Sequence, residues 1–453
     1  MKILIAGIGK VGKTLVEQFA EEGYDLTVLD TNKEALERIV EICDVITVNG
    51  NCASMEVLTE AEVGKADLLI AATGSDEINL LCCAAAHSLC PTLNTIARIR
   101  NPEYSKQVYR MRDVFSLSMI FNPERQAAAE IDRLLHYPGF LKRESFAKGR
   151  MEIAELKVEE GSKLANASLT EIGSLLDCKI LVCAVLRAGT CITPAGDFVL
   201  KAGDRIFVTA TANDLSALLK NLGVVHRKVR SAMVIGGGLG GYYLAESLLE
   251  HGIHVKLVER DAERCRELSA LLPKADIIYG DGTSQKVLDA EGLRDCDALV
   301  ALTGNDETNI LISLYGKSYG VPQIITNLGR VEDMNIIDTL PLGCVVSPRK
   351  LCCNTIVRYA RAIHHKTGAA IAVHSIADGQ AEAIEFVVDM NTKHFGEPLK
   401  NIRLKPNIRI AGINRADKTE IAGGDSIFGE GDTVVLVTSR DEVLLELNDI
   451  FAD

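Results

Sequence analysis

The sequence predicts an α/β protein built twice over: two doubly wound parallel sheets, each followed by a small α+β C-terminal module. Three observations carry this. The glycine frame Gly7-Ile8-Gly9-Lys10-Val11-Gly12 follows the apolar run KILIA. It returns as Gly236-Gly237-Gly238-Leu239-Gly240-Gly241 after SAMVI. An acid then closes a second apolar run in each copy, Asp30 in DLTVLD and Glu259 in HVKLVE, eighteen positions beyond the last glycine in both. The register also continues at an offset of about 230. Gly50-Asn51 falls on Gly280-Asp281, and LLIAATGSDEINL (68–80) falls on ALVALTGNDETNI (298–310). This places Thr73, Gly74, Asp76, Glu77 and Asn79 on Thr303, Gly304, Asp306, Glu307 and Asn309. One glycine fingerprint is weak evidence, whereas two with matching strand, helix and acid are strong.

The elements follow in order. Apolar runs at 2–6, 25–30, 44–48, 67–72 and 95–99 read as buried parallel strands, and helical patterns fill 10–22, 33–42, 54–61 and 75–89. Alternation of this kind is Rossmann-like. The second copy places strands near 232–236, 254–259, 276–279, 297–302 and 323–327. A proline-led connector follows each sheet, NPERQAAAEIDRLLHYPG and SPRKLCCNTIVRYARAIHH; Pro123 and Pro348 suit a helix's first turn, and Pro138-Gly139 punctuates the end of the first. The small modules alternate short β runs with turns such as Gly203-Asp204 and Gly431-Asp432, and each closes on a helical stretch, NDLSALLKNL or RDEVLLELNDI. The module repeat also sets Arg187 on Arg415.

The expected organisation is a first nucleotide-binding domain over 1–122, a connector over 123–140 and a small domain over 141–225. The same order recurs over 229–346, 347–366 and 367–453. A repeat this long is a duplicated two-domain unit, since solenoid repeats run about 20–50 residues. Apolar residues make up 47% and charged residues 25%, which suits globular domains with sizeable cores. A net charge of −13 argues against a nucleic-acid partner, which needs clustered cations. No apolar run reaches the 18 or so residues of a membrane span, and the N-terminal apolar stretch is a glycine-broken first strand rather than a signal peptide. Thirteen cysteines at irregular spacing, with no C-x-x-C pair, read as buried thiols filling apolar cores, and His364-His365 reads as a solvated helix end.

The chemistry points to a nucleotide. A pyrophosphate needs backbone N–H donors and positive potential, both present at a helix N-terminus. Gly7 permits the strand-to-helix turn, Gly9 lets phosphates approach the main chain, and Gly12 lets the helix pack on the strand. Asp30 accepts from ribose hydroxyls, which favours NAD over NADP because a 2′-phosphate would be repelled. Lys10 adds charge near the phosphates, Thr73-Gly74 lies at the carboxyl edge of the fourth strand, and Arg98 ends the fifth strand within reach of the same crevice. The second copy has Leu239 for Lys10 and Asn327 or Leu328 near the place of Arg98, which leaves its ligand open. Arg260, after the second acid, reads as a surface arginine. Asp76, Glu77, Asp306 and Glu307 read as first-turn acids favoured by the helix dipole. Arg187 and Arg415 read as solvated.

Together, GIGKVG, Asp30, the GN pair, AATGSDEIN, ARIRNPEY, the RLLHYPG connector and PAGDFVLKAGDRIFV resemble the regulator-of-potassium-conductance domains, also called KTN domains. The tandem duplication, covering essentially the full chain, is similar to the peripheral regulatory subunits of Trk-type potassium uptake systems. The resemblance implies a cytoplasmic, homo-oligomeric assembly on the inner face of the membrane. It would dock on a potassium-translocating membrane subunit and gate it according to bound NAD(H), or ATP or ADP. By motif match, Gly7 to Gly12, Asp30, Asn51, Thr73, Gly74 and Arg98 would carry the first site. Gly236 to Gly241, Glu259, Asp281, Thr303 and Gly304 would carry the second. Two other readings compete: an NAD-dependent oxidoreductase, which would need a general acid/base that neither small module offers, and a free-standing nucleotide sensor.

Overall fold

Continuous apolar runs become strands buried on both faces, as in β1 (Lys2–Ala6), where Ile3 to Ala6 are solvent-free. The computed structural model describes all residues except 109, 137–139, 224–228, 330–339, 365–369, 416–417, 440–443, 445 and 453. From β1 the chain runs through α1 (Lys10–Glu21), β2 (Asp25–Asp30), α2 (Lys33–Val40), β3 (Ile46–Asn49) and α3 (Met55–Glu60). It continues through β4 (Leu68–Ala71), α4 (Asp76–Leu89), β5 (Asn94–Arg98), α5 (Pro102–Val108) and β6 (Met119–Phe121) to the connector α6 (Pro123–His136). The sheet is parallel in the order β3-β2-β1-β4-β5-β6, so the strand order reverses between β1 and β4, where ligands of open α/β sheets lie.

The first small module holds β7 (Lys142–Phe146), β8 (Met151–Lys157), α7 (Leu169–Leu175), β9 (Leu181–Arg187), β10 (Thr190–Ile192), β11 (Arg205–Ala210) and α8 (Ala212–Asn221). Its antiparallel order is β10-β9-β11-β8-β7. The second parallel sheet comprises β12 (Ser231–Ile235), α9 (Leu239–Glu250), β13 (His254–Glu259), α10 (Ala262–Leu271), β14 (Asp276–Tyr279) and α11 (Gln285–Ala290). It ends with β15 (Ala298–Ala301), α12 (Asp306–Ser318), β16 (Gln323–Asn327), β17 (Cys344–Val346) and the connector α13 (Pro348–His364). Its order, β14-β13-β12-β15-β16-β17, repeats the first. The second module supplies β18 (Ala370–Ile376), β19 (Ala381–Val387), β20 (Ile408–Arg415), β21 (Lys418–Ile421) and β22 (Thr433–Ser439), ordered β18-β19-β22-β20-β21.

By compactness the chain forms two units, each drawing on both repeats: 1–132 with 230–360, and 133–229 with 361–453. The first unit contains the two parallel sheets. Within the second, Phe146, Met151, Ile153 and Phe207 share one buried cluster with Ala383, Ala411, Val435 and Val437 of the other module.

Pro123 and Pro348 do open the connector helices, where the missing N–H costs nothing. β3 starts at Ile46 rather than 44, because the end of α2 continues as a turn in which Ile42 and Cys43 both donate to Ile39 O. The edge strands β6 and β17 were not expected from the sequence; three residues with a single neighbouring strand carry little periodicity. Of the RDEVLLELNDI stretch, 440–443 and 445 lie outside the described residues, and Leu447–Ile450 forms a 3-10 turn instead of an α-helix. Pro138, Gly139 and His365 also lie outside the described residues.

Candidate functional site

The first glycine turn is built by close approach. Gly7 sits at φ +92°, and a Cβ there would meet the Thr73 backbone at 2.8 Å. A Cβ on Gly12 would lie 1.9 Å from Gly7 O but 3.9 Å from Ile5, so the contact that demands glycine is with the turn's own carbonyl rather than the strand. A Cβ on Gly9 would meet nothing within 4 Å, and Gly9, Lys10 and Val11 at the start of α1 face an open chamber. Asp30 holds this turn in place: Ile8 N–H donates to its Oδ2 and Asn32 N–H to its Oδ1, both at 2.8 Å. Each carboxylate oxygen keeps lone-pair capacity for a sugar hydroxyl.

Across the switch point, Ser75 caps α4 by accepting from Ile78 N–H at 3.2 Å. Asn79, wholly buried, braces the loop before the helix. Its Oδ1 accepts from Thr73 N–H at 2.9 Å and Thr73 Oγ1 at 2.7 Å, while its Nδ2 donates to Arg98 O at 2.9 Å. Arg98 reaches the crevice as expected and donates from Nη2 to Thr73 O. Among the described residues its Nε is buried without a partner. Burial, and then the neighbouring Arg100 charge, pull its pKa below the ordinary value. From the sequence, Asn79 falls in register on Asn309 without a role, and Ser75, Cys52 and Arg100 carry no signal of their own; recurrence of a polar residue at a buried helical position is what marks Asn79.

The second turn repeats the mechanics. Gly236 has φ +114°, a Cβ on Gly241 would lie 2.0 Å from Gly236 O, and Gly238 faces open space. Glu259 takes the Asp30 role, accepting from Gly237 N–H and Arg260 N–H at 2.7 Å each. Asn309 holds Thr303 N–H at 2.8 Å and donates to Asn327 O at 2.8 Å, so Asn327, not the buried Leu328, stands where Arg98 stands. Asp281 binds Thr283 N–H and Oγ1, and these hydrogen bonds lower its pKa. Arg264, where the first copy has Ala35, donates from Nε to Gly237 O at 2.8 Å. Arg260 is exposed.

The two crevices open into one chamber of about 890 Å3. Of the candidate residues, Gly7, Gly9, Lys10, Val11, Asp30, Asn51, Thr73, Gly74 and Arg98 line it from the first sheet, and Gly238, Gly240, Thr303 and Gly304 from the second. Ile8, Gly12, Gly236, Gly237, Leu239, Gly241, Glu259 and Asp281 do not. The remaining wall includes Cys52, Arg100, Glu124, Asp306, Asn327, Gly329 and Arg349. A volume near this size suits a nucleotide, since small-molecule sites run roughly 300–1,000 Å3. The connectors cross over. Asn122, preceding α6, donates to Tyr243 Oη of α9 at 3.3 Å, and Tyr243 Oη donates to Arg100 O at 2.7 Å. In α13, Cys353 Sγ lies 3.9 Å from Val11 O of α1, and Tyr359 Oη lies 3.5 Å from Asn94 Oδ1.

Asp76 and Asp306 are more than dipole acids. Asp76 Oδ2 accepts from Arg100 and Asn101 N–H, and Asp306 Oδ1 accepts from Gly329 N–H. Arg187 and Arg415 have partners as well as solvent: they bind the buried Asp204 and Asp432 with shortest contacts of 2.7 and 2.9 Å, pinning the Gly-Asp turns, while the Arg415 side chain stays 56% exposed. All thirteen cysteines are free thiols, and burial pushes Cys83 up to about 12. Cys52 differs: its hydrogen bond with Cys82, outweighing burial, lowers it. No helix among the described residues is long and apolar enough to cross a membrane.

Fold and site together define a tandem module: two dinucleotide-type half-sites facing one chamber, each followed by a small antiparallel module. Family models assign it. The TrkA-N domain matches residues 3–120 and 232–348, and the TrkA-C domain matches 153–223 and 383–451. The chain therefore belongs to the family of the Trk system potassium uptake protein TrkA. The protein of that name from Halomonas elongata is 32% identical over 96% of this chain and 95% of its own length. That from Haemophilus influenzae is 32% identical over 100% and 98%. Among solved structures, the GsuK RCK domain matches with a TM-score of 0.63 at 21% identity, covering 97% of this chain and 92% of its own. The GsuK channel bound to NAD matches at 0.62 and 20%, covering 97% and 77%.

Proposed function

We propose that this chain is a cytoplasmic regulatory subunit that binds an adenine nucleotide, NAD(H) or ADP/ATP, and gates a membrane potassium-translocating subunit of a Trk-type system. The observation that carries the reading is the chamber wall. The start of α1, the Asp30 carboxylate and the Arg98 guanidinium converge on one space, supplying main-chain donors and charge for phosphates and an acceptor for a ribose. The relatives' names for potassium uptake, and a structural neighbour bound to NAD, support the same reading.

A ligand in this chamber touches both sheets and the first turns of both connectors. It therefore favours the arrangement of the two halves in which its contacts are best, and such a difference in affinity between two states is all that a switch requires. Docking on the membrane subunit at its inner face, in a homo-oligomeric assembly, completes the proposal. Equilibrium dialysis of the purified chain with NADH, NAD+, ADP and ATP tests the ligand. Potassium-limited growth of cells lacking the chain tests the role; normal uptake there would remove the transport assignment. An oxidoreductase would consume bound NADH when given a carbonyl substrate, whereas the regulatory reading expects the cofactor unchanged.

A further inference from the structure

The repeat is broken where charge meets the chamber. In the first sheet, Lys10 opens α1, Arg98 ends β5 and Arg100 follows it. The matching places in the second sheet hold Leu239, Asn327 and Gly329, none of them cationic. The connectors reverse this: α6 begins Pro123-Glu124, and α13 begins Pro348-Arg349. The missing side chain at Gly329 leaves room beside Arg349, since a Cβ there would lie 3.7 Å from Arg349 Nη2 and 3.5 Å from the Asp306 carboxylate. Asp306 already accepts from Gly329 N–H at 2.9 Å. Among the described residues the Arg349 guanidinium has no hydrogen-bond or ion-pair partner, although it lines the chamber.

The crossover decides which half Arg349 serves. Cys353, one turn further along α13, meets Val11 O in the first glycine turn, and Cys352 lies within electrostatic reach of Arg98. The start of α13 therefore lies between the two glycine turns, with the Arg349 guanidinium beside Gly329 of its own sheet and Cys353 against α1 of the other. Glu124, by contrast, lies beside Arg100 at 4.0 Å, with one carboxylate oxygen buried and unpartnered. We infer that Arg349 is a phosphate-binding residue supplied by the second repeat to the nucleotide held in the first, so that one anionic ligand is gripped from both halves. This deepens the nucleotide reading and rests on it. A guanidinium suits the task because its planar fork binds phosphate oxygens bidentately and keeps its charge.

The test is calorimetric titration of the full chain with ADP and with adenosine, in wild type, Arg349→Gln and Arg349→Lys, with thermal melting to confirm folding. Arg349→Gln is expected to weaken ADP binding roughly tenfold, the worth of one charge-assisted contact, and to leave adenosine binding unchanged. Arg349→Lys, which keeps charge without the fork, is expected to fall between. The salt dependence of ADP affinity should flatten in Arg349→Gln. Unchanged ADP affinity in Arg349→Gln overturns the inference alone, as does an equal loss for ADP and adenosine. A wild-type chain that binds neither ADP nor NADH overturns the nucleotide reading, and this inference with it.

Discussion

At the residue scale, the glycines of the first turn differ in what they forbid. Gly12 faces the backbone carbonyl of Gly7, which no rotamer change can relieve. Gly12→Ala is therefore expected to cost about 1–3 kcal/mol or more in overpacking, read as a lower midpoint in urea unfolding. Gly9 faces space, so substitution there is expected to spare the fold and obstruct only the ligand. Asp30 has two tasks, because the oxygens that would hold a ribose also hold Ile8 and Asn32 N–H. Asp30→Asn keeps one acceptor for the turn and sets an NH2 against the other N–H, so it is expected to lower nucleotide affinity and also the melting temperature. Cys52 supplies a footprint: it lies in the chamber wall, 5% exposed, so a thiol reagent can reach it only through the space that bound NADH would fill, and NADH is expected to slow its alkylation. Equal alkylation rates with and without NADH would place the ligand elsewhere. The glycines and Asp30 were legible because their spacing repeats. Arg349 was not, because its role depends on a helix crossing to the other half, which no local pattern encodes.

At the element scale, the strands of both parallel sheets were legible because burial on both faces leaves continuous apolar runs. β6 and β17 were illegible for the opposite reason, being short and bordered on one side only. The small modules show how a repeat can be visible while its purpose is not. Arg187 on Arg415 and Asp204 on Asp432 were in register, yet the sequence does not say that each arginine reaches its aspartate. Asp204 also accepts Lys201 N–H at 2.8 Å, so the pair fixes the turn before β11. Its hydrogen bonds with Arg187 and Lys201 lower its pKa against the opposing effect of burial, which is the largest single influence. Asp204→Ala is expected to destabilise the module by about 1–3 kcal/mol, because it removes the buried acceptor of Arg187 and of Lys201 N–H. A loss below about 0.5 kcal/mol, the usual range for surface changes, would show that the pair is ornamental to the fold.

At the scale of the whole molecule, duplication gives two glycine turns on one chamber, and sequence divergence has made them unequal. The first has Lys10 and Arg98 in its own sheet; the second has Leu239 and Asn327, with Arg264 drawn onto its glycine turn. One tightly bound nucleotide per chain is the expected stoichiometry, with any second binding event weaker. The central claim is that the first glycine turn holds an adenine nucleotide, and equilibrium dialysis of wild type against Gly9→Val with NADH tests it most directly. Wild type is expected to take up NADH, and Gly9→Val, folded by its melting curve, to lose the tight site. Equal uptake by the two proteins, or no uptake by wild type of NADH or any other adenine nucleotide, would contradict it.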